Sequence, residues 1–180
     1  MKKEIPSIKG IFVRQHIQAI KKIKGDEGVK LLEQKFGRPL VFKNSDNVPI
    51  ADEIKILESF TEILFPKNYT RDELQYVSGR LHFKNFTQSP IARILIYSFK
   101  MDFRKLILNS TSIFAHVFNN VPFSAESLGK NSVKVIISNG YAKDHFRGFF
   151  DEWFEYSGLE GTTLAQTENV DSNSYMLKWK

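Results

Sequence analysis

The chain reads SVKVIISNGYAKDHFRGFFDEWFEY from Ser132 to Tyr156. The first seven residues are rich in β-branched side chains and predict a strand, and the Asn-Gly pair that follows is typical of a turn. The segment from Tyr141 to Tyr156 predicts a helix, because large rings recur along one broad face: Phe146, Phe149, Phe150, Trp153 and Phe154. A strand, a turn and an aromatic helix therefore follow one another without a break.

Two more β-patterned stretches follow this helix and one precedes it. Thr162–Glu168 and Ser174–Trp179 predict strands, with turn-forming polar residues between them. Ser112–Phe118 has β-branched and aromatic residues on both faces, which is typical of a buried strand. We expect it to pair antiparallel with the strand that begins at Ser132. The C-terminal part therefore predicts a four-stranded antiparallel sheet interrupted by one long aromatic-rich helix.

Helical periodicity dominates the N-terminal half. Apolar spacing and capping signals predict helices over residues 8–23, 26–36, 51–65, 90–99 and 102–109, and a further helix that begins at Thr70. Asp26 is the expected N-cap of the second helix and Gly37 its stop. Thr70 and Glu73 have capping-box spacing, and Leu74 and Leu81 are expected to face the core with Val77. Helices first and a sheet last make an α+β fold.

Length and composition limit the class of protein. A chain of 180 residues without a linker or repeat predicts a single domain over residues 1–180. The absence of Cys excludes disulfides, thiolate metal sites and a cysteine nucleophile. The net charge of +6 is spread along the chain and forms no basic stripe, so a nucleic-acid partner is not expected. No stretch has the roughly 20 apolar residues of a membrane span, and a cytoplasmic location is expected.

Recognisable catalytic motifs are missing from the sequence. It contains neither the Gly-x-Ser-x-Gly elbow of hydrolases nor a glycine-rich phosphate loop. The four histidines lie far apart and show no His-x-x-x-His spacing, so each is expected to be an ordinary structural or surface residue. We therefore expect no metal, no other cofactor and no enzymatic activity.

Four short motifs carry a resemblance to a bacterial family of unknown function found mostly in myxobacteria. They are Lys9-Gly-Ile-Phe12, Leu64-Phe-Pro66, Ser78-Gly-Arg80 and Tyr175-Met-Leu-Lys-Trp179, which span nearly the whole chain. That family is similar in fold to a wider group: haem nitric-oxide/oxygen-binding domains, four-vinyl-reductase-type sensor domains and the TRAPP vesicle-tethering subunits. The resemblance implies binding of haem, small molecules, acyl chains or other proteins, and fold alone does not choose among them.

The haem-binding members of that group are similar in having an axial His on a helix, followed later by Tyr-x-Ser-x-Arg. Tyr76-Val-Ser-Gly-Arg80 has these letters, but it precedes His116, the best-placed histidine. At the expected position the chain reads Ile136-Ile-Ser-Asn-Gly140, which has neither Tyr nor Arg. The order of the motif therefore argues against haem.

Five residues are the candidates for a ligand site between the helices and the sheet: Arg80, His116, Phe146, Phe150 and Trp153. Each has a structural alternative. Arg80 could bind an anionic ligand, although an ion pair with an acidic residue such as Glu73 is favoured. The aromatic face could line a cavity or a dimer seam, although covering the sheet is its expected use.

Two functions remain open from the sequence. The first is a non-enzymatic signalling or scaffold module that acts through a protein partner or a homodimer. The second is a sensor domain that binds a small apolar or anionic ligand between the helices and the sheet. An exposed apolar patch of several hundred Å² would favour the scaffold, and an enclosed pocket of about 300 Å³ or more would favour the sensor.

Overall fold

The computed structural model describes residues 5–65, 69–98, 102–138 and 140–180. In chain order its elements are β1 (Ser7–Lys9), α1 (Gly10–Phe36), β2 (Asn47–Pro49), α2 (Ile50–Leu64), α3 (Arg71–Thr87), α4 (Pro90–Ser98), α5 (Phe103–Leu108), α6 (Ser110–Val117), β3 (Phe118–Asn119), β4 (Phe123–Gly129), β5 (Ser132–Ile137), α7 (Lys143–Tyr156), β6 (Gly161–Asn169) and β7 (Ser172–Trp179). The predicted α+β class is confirmed: a helical half precedes a four-stranded antiparallel sheet that α7 interrupts.

The two sheets differ in size and in their place in the chain. The larger has the order β4-β5-β7-β6, and each neighbouring pair is antiparallel. The smaller has the order β2-β1-β3 and joins the start of the chain to the segments before α2 and after α6. The small sheet therefore fixes the starts of α1 and α2 close to the end of α6.

Helix α1 is kinked at the point where the sequence predicts a break between two helices. Gly25 has φ 66° and ψ −161°, which no helical residue adopts, so the helix is kinked there. Gly37 ends it in the left-handed conformation with φ 94°, as expected of a C-terminal glycine. In the loop that follows, Leu40 is buried and Phe42 packs against the core, whereas Val41 is 81% exposed.

Helix α3 has the predicted capping box but buries a different face from the one predicted. Thr70 accepts from the Glu73 amide and Glu73 returns the bond to the Thr70 amide. Leu74, Val77 and Leu81 are only half-buried. The buried face is instead made mostly of small and polar residues: Gln75, Ser78, Gly79, His82, Phe83, Asn85 and Thr87. The apolar pattern predicted the wrong buried face because the observed buried face of α3 packs against α7 at close range.

The predicted strand over residues 112–118 is wrong. Residues 110–117 form helix α6, and only Phe118 and Asn119 are extended, as β3. Ile113, Phe114 and Val117 are buried on one side of α6. Their i, i+1, i+4 spacing suits a helix as well as a strand, and short apolar runs do not separate the two.

Strand β4 forms one edge of the larger sheet, in a segment whose sequence did not predict a strand. It pairs with β5, which therefore lies between β4 and β7 and not beside residues 112–118. Its burial alternates with period two near Phe123, but it has no β-branched residue and is exposed from Glu126 onwards. An edge strand needs less apolar surface than a central one, so its sequence signal is weak.

Helix α7 lies between the sheet and α3, and its rings pack on both. Phe150 lies 5.4 Å from Tyr175 of β7, and Phe83 of α3 lies 5.6 Å from Trp153, measured between ring centroids. The predicted aromatic face of α7 is buried throughout: Phe146, Phe149, Phe150, Trp153 and Phe154. The face is therefore used for core packing, against the sheet and against α3. Gly158 follows the helix with φ 67°.

Three predicted boundaries, at Pro66, Phe99 and Asn139, lie outside the described residues. Among the residues that are described, no helix combines the length and the apolar character needed to cross a membrane.

Helices α3 and α7 cross with their backbones in contact. A Cβ added to Gly79 would lie 1.7 Å from the His145 carbonyl oxygen, and one added to Gly148 would lie 2.0 Å from the Tyr76 carbonyl oxygen. Each helix therefore has a glycine where the other helix's main chain passes. No other residue permits this separation, because any side chain would overlap backbone atoms.

We expect Gly79→Ala to lower the free energy of unfolding by about 2 kcal/mol or more, since a methyl group at the crossing forces the helices apart. Denaturant titration of both proteins measures the difference. Gly129→Ala is the matched control, because nothing lies within 4 Å of a Cβ at that glycine. Equal destabilisation by the two substitutions would contradict the close crossing.

Candidate functional site

A cluster of buried polar side chains lies where α1, α2, α3 and α7 meet. We call it the histidine–glutamate cluster and define it as His16, Glu53, His82, Asn85, Tyr141 and His145. Its members come from four helices and from the residue two positions before α7. Three of the four histidines, far apart in sequence, are therefore brought together by the fold.

Glu53 is at the centre of the cluster. One carboxylate oxygen, Oε1, lies 3.2 Å from His16 Nε2 and 3.6 Å from His82 Nε2. The other, Oε2, accepts a hydrogen bond from the Tyr141 hydroxyl. The Tyr141 carbonyl in turn accepts from Asn173 Nδ2 at 2.9 Å, which ties the cluster to β7 of the sheet.

The remaining ring nitrogens of His16 and His82 also have polar partners. Asn85 Nδ2 lies 3.1 Å from His16 Nδ1, and His82 Nδ1 lies 3.0 Å from His145 Nε2. His82 and His145 face each other because α3 and α7 cross at Gly79 and Gly148, three residues from each. The glycine crossing therefore sets the distance between the two rings.

Burial determines the protonation states of the cluster. It lowers the pKa of His16 to about 3 and that of His82 to about 4, and it holds the pKa of His145 well below 6.5. The same loss of water raises the pKa of Glu53 to about 7, although the charge of His82 acts in the opposite direction. The histidines are therefore neutral at physiological pH, and Glu53 is poised between its two forms.

Glu53 lacks the usual partner of a buried carboxylate. In the part of the chain that the structure describes, its only ion contacts are with His16 and His82, and no Lys or Arg reaches it. A buried carboxylate is normally paired with a cation, bound to a metal or protonated. His16, Glu53 and His82 offer donor atoms that all lie within 4.8 Å of one another, so these three residues could hold a metal ion.

The cluster was missed because no local spacing reveals it. The expectation from the sequence assigned each histidine an ordinary structural or surface role, considered singly. Its partners are distant along the chain: His16 and Glu53 are 37 positions apart, and Glu53 and His82 are 29 apart. A weaker signal was present. His16 lies on the apolar face of α1 four residues from both Phe12 and Ile20, and Glu53 lies on the apolar stripe of α2. A polar residue on a buried helical face requires a partner from elsewhere in the fold.

Arg80 is engaged by α7 and not by Glu73. Its Nε donates to Glu152 Oε2 at 2.7 Å, and its Nη2 also contacts Glu155. Lys84 joins the same group at 3.3 Å from Glu152 Oε1. The favoured interpretation of Arg80 as half of an ion pair fits this geometry, with different partners, and an anionic ligand would have to displace two glutamates.

The other four candidate residues divide into two groups. His116 is exposed on α6 and does not lie between the helices and the sheet, because residues 110–117 are helical. Phe146, Phe150 and Trp153 are all buried on α7. Phe146 and Trp153 border a cavity, whereas Phe150 packs against Tyr175.

That cavity lies between α3, α6 and α7 and has a volume of about 30 Å³. Its lining is almost wholly apolar, with Phe86, Ile113, Phe114, Val117, Phe146 and Phe149 among the residues that surround it. The polar lining residues are His82 and Ser110, and the Ser110 hydroxyl already donates to the Ile107 carbonyl. The space suits a ligand of two or three heavy atoms, well below the 300 Å³ expected of a sensor pocket.

The chain belongs to the family described as protein of unknown function (DUF2378), whose model matches residues 7–180. The resemblance predicted from the four short motifs is therefore confirmed. A comparison with curated proteins gives no significant match.

Among solved structures the chain is similar to H-NOX proteins. A mutant H-NOX protein from K. algicida, in its Fe(II) unliganded form, has a TM-score of 0.67 and 14% identity, with 96% of this chain and 97% of that chain covered. An H-NOX mutant from T. tengcongensis has a TM-score of 0.61 and 16% identity, with coverages of 96% and 98%. An oxygen-binding H-NOX domain related to soluble guanylate cyclases has the same score and identity, with coverages of 96% and 95%. At these identities the likeness establishes the fold.

The described residues do not fit a haem. The cavity is about a tenth of the smallest usual cofactor pocket, and large rings occupy the space around it. His116 is on a helix, as an axial ligand would be, but it is exposed and does not line the cavity. Tyr76 and Arg80 hydrogen-bond to acidic residues of α7, Asp151 and Glu152.

We expect the free energy of unfolding of the metal-free protein to fall steeply as the pH drops below about 6.5. The unfolded chain takes up protons on His16, His82 and His145 near their ordinary pKa of 6.5, whereas the folded protein does not, because burial lowers these values. Each histidine costs about 1.4 kcal/mol per pH unit on this descent.

Glu53 has the opposite sign. Its pKa of about 7 in the folded protein is above the ordinary 4.5, so its protonation favours the folded state as the pH falls from 7 to 4.5. Three histidines against one carboxyl leave a net loss of about 3 kcal/mol per pH unit between pH 6 and 4.5. Denaturant titrations in the presence of a chelator measure the slope. This slope should decrease in His145→Gln, which removes one of the three buried imidazoles, and a flat profile in the wild type would contradict neutral buried histidines.

Proposed function

We propose that this member of the DUF2378 family is a non-enzymatic sensor module that binds a small apolar ligand in the cavity between α3, α6 and α7. The observation that carries the proposal is the cavity itself. It is lined by rings and aliphatic side chains, and it borders His82 of the histidine–glutamate cluster. The H-NOX fold supports the proposal by analogy, since one of the similar structures is described as oxygen-binding.

The chemistry of the cavity walls favours an apolar ligand over an anionic one. Arg80, the candidate anion-binding residue, is bound to Glu152 and Glu155 and is not among the cavity-lining residues. An anion in this cavity would lose its hydration without gaining a cation. The sensor hypothesis from the sequence is therefore narrowed to a small, apolar molecule.

The position of α6 indicates how occupancy could be transmitted. One face of α6 lines the cavity through Ile113, Phe114 and Val117, and the helix passes directly into β3. Phe114 also stacks on Phe123 of β4 at 4.1 Å between ring centroids. A ligand that displaces Phe114 would therefore act on both sheets through packed side chains, without any catalytic group.

The alternative of a scaffold module has less support. The described exposed large apolar side chains come from many separate elements and loops, among them Ile23 of α1, Ile94 of α4, Leu128 of β4 and Leu164 of β6. A protein partner or a homodimer remains a prediction for this chain.

Xenon is the probe that tests the cavity, because it is apolar and small. We expect xenon pressure to give saturable shifts in the amide NMR signals of residues 110–118 of the wild-type protein. Val117→Phe should abolish these shifts by filling the cavity. His116→Ala, at the neighbouring exposed position of the same helix, is the matched control and should retain them.

Native mass spectrometry of the same samples tests the competing function. No xenon response in the folded wild type, together with a dimer peak, would contradict the sensor and favour self-association. Shifts that persist in Val117→Phe would place xenon elsewhere and overturn the assignment of the cavity.

A further inference from the structure

We propose that His16, Glu53 and His82 form a binding site for one divalent transition-metal ion, with Zn²⁺ the first candidate. The site goes beyond the sensor function and does not rest on it. It draws one ligand each from α1, α2 and α3. The expectation from the sequence that no metal binds rested on local spacing, which a site assembled from three helices does not have.

The distances between donor atoms match the size of a metal site. In a tetrahedral zinc site with bonds of about 2.0–2.1 Å, neighbouring ligand atoms are about 3.3 Å apart. Glu53 Oε1 lies 3.2 Å from His16 Nε2 and 3.6 Å from His82 Nε2. All three ligand atoms lie within 4.8 Å of one another, so an ion could bind with only small movements of the side chains.

Each ligand also has the outer partner that metal sites usually provide. A metal-bound histidine donates its other ring N–H to a fixed acceptor, which sets the ring's orientation. His145 Nε2 is in place to accept from His82 Nδ1 at 3.0 Å. Asn85 is beside His16 Nδ1 at 3.1 Å, and rotating its side-chain amide by half a turn presents the carbonyl oxygen as acceptor. Tyr141 holds the second oxygen of Glu53.

A bound cation would also balance the buried charge. Glu53 is fully buried, and its described ion contacts are with two histidines and no Lys or Arg. A divalent ion supplies the missing positive charge without a long cationic side chain, which the packed crossing of four helices could not accommodate. The neutral histidines and the carboxylate are the forms in which these groups bind metals.

The donor set indicates which ions would bind. Two imidazole nitrogens and one carboxylate oxygen suit Zn²⁺ and its neighbours Co²⁺, Ni²⁺ and Cu²⁺, whereas Ca²⁺ and Mg²⁺ prefer sites made of oxygen alone. Three protein ligands leave a fourth position for a water molecule or a small ligand.

Metal titration of the full chain tests the proposal. After treatment with a chelator, we expect one equivalent of Co²⁺ to give the visible absorption bands of a four- or five-coordinate ion, and one equivalent of Zn²⁺ to displace it. Glu53→Gln, which keeps the side-chain shape, should weaken binding at least about 100-fold. His116→Gln, which changes the exposed histidine, should leave affinity and spectrum unchanged.

Two further measurements guard against a variant that does not fold. X-ray absorption of the zinc-loaded wild type should show a nitrogen and oxygen first shell with imidazole scattering beyond it. Asn85→Leu, with folding checked by circular dichroism, should weaken binding about 10- to 100-fold as a change to a positioning residue.

Three outcomes would overturn the site. They are a folded wild type without stoichiometric Co²⁺ or Zn²⁺ binding, affinity that is unchanged in folded Glu53→Gln, and affinity that is lost in His116→Gln. The cluster would then be a hydrogen-bonded core in which Glu53 carries a proton. Val117→Phe separates the two proposals, since it should remove the xenon response and keep the metal.

Discussion

The backbone contact between α3 and α7 at Gly79 and Gly148 is the constraint on which the rest of the structure depends. With main chains this close, α7 can be covered by α3 on one side and by the four-stranded sheet on the other. The same contact brings His82 within hydrogen-bonding distance of His145. It also brings Arg80 to Glu152 and Tyr76 to Asp151, so polar pairs flank the crossing on its more exposed side. The distance between α3 and α7 therefore determines both how α7 packs and which polar pairs form around the crossing.

The histidine–glutamate cluster is the unusual part of this core. Burying a carboxylate and three imidazoles has a large desolvation cost, and a well-packed apolar core would avoid it. Here the cost is reduced because the histidines stay neutral and because the polar atoms find partners within the cluster. Within the described chain, Glu53 is the member of this group whose charge no Lys or Arg balances. A metal ion or a proton on Glu53 would complete it, and the small cavity on the other side of His82 gives it a neighbour that a ligand could occupy.

The likeness to H-NOX proteins extends over 96% of the chain, and at 14% identity it establishes the fold alone. Aromatic side chains fill the region between α3, α6 and α7, and Phe114, Phe146 and Phe149 leave only about 30 Å³. Side-chain volume therefore limits the free space between these three helices. In such a fold the arrangement of the helices determines where a ligand can bind, and the volume of the side chains determines how large that ligand can be.

The sequence by itself determined the elements whose signals are local. The kink at Gly25, the stop at Gly37, the capping box of Thr70 and Glu73, and the aromatic helix before Gly158 each depend on residues within one or two turns. Only the tertiary structure decided that residues 110–117 are helical and that residues 123–129 form an edge strand, because short apolar runs suit either state until their neighbours are placed. It alone also brought His16, Glu53 and His82 together. Their meeting depends on how α1, α2 and α3 pack against one another, and no spacing along the chain records the distance between side chains from different helices.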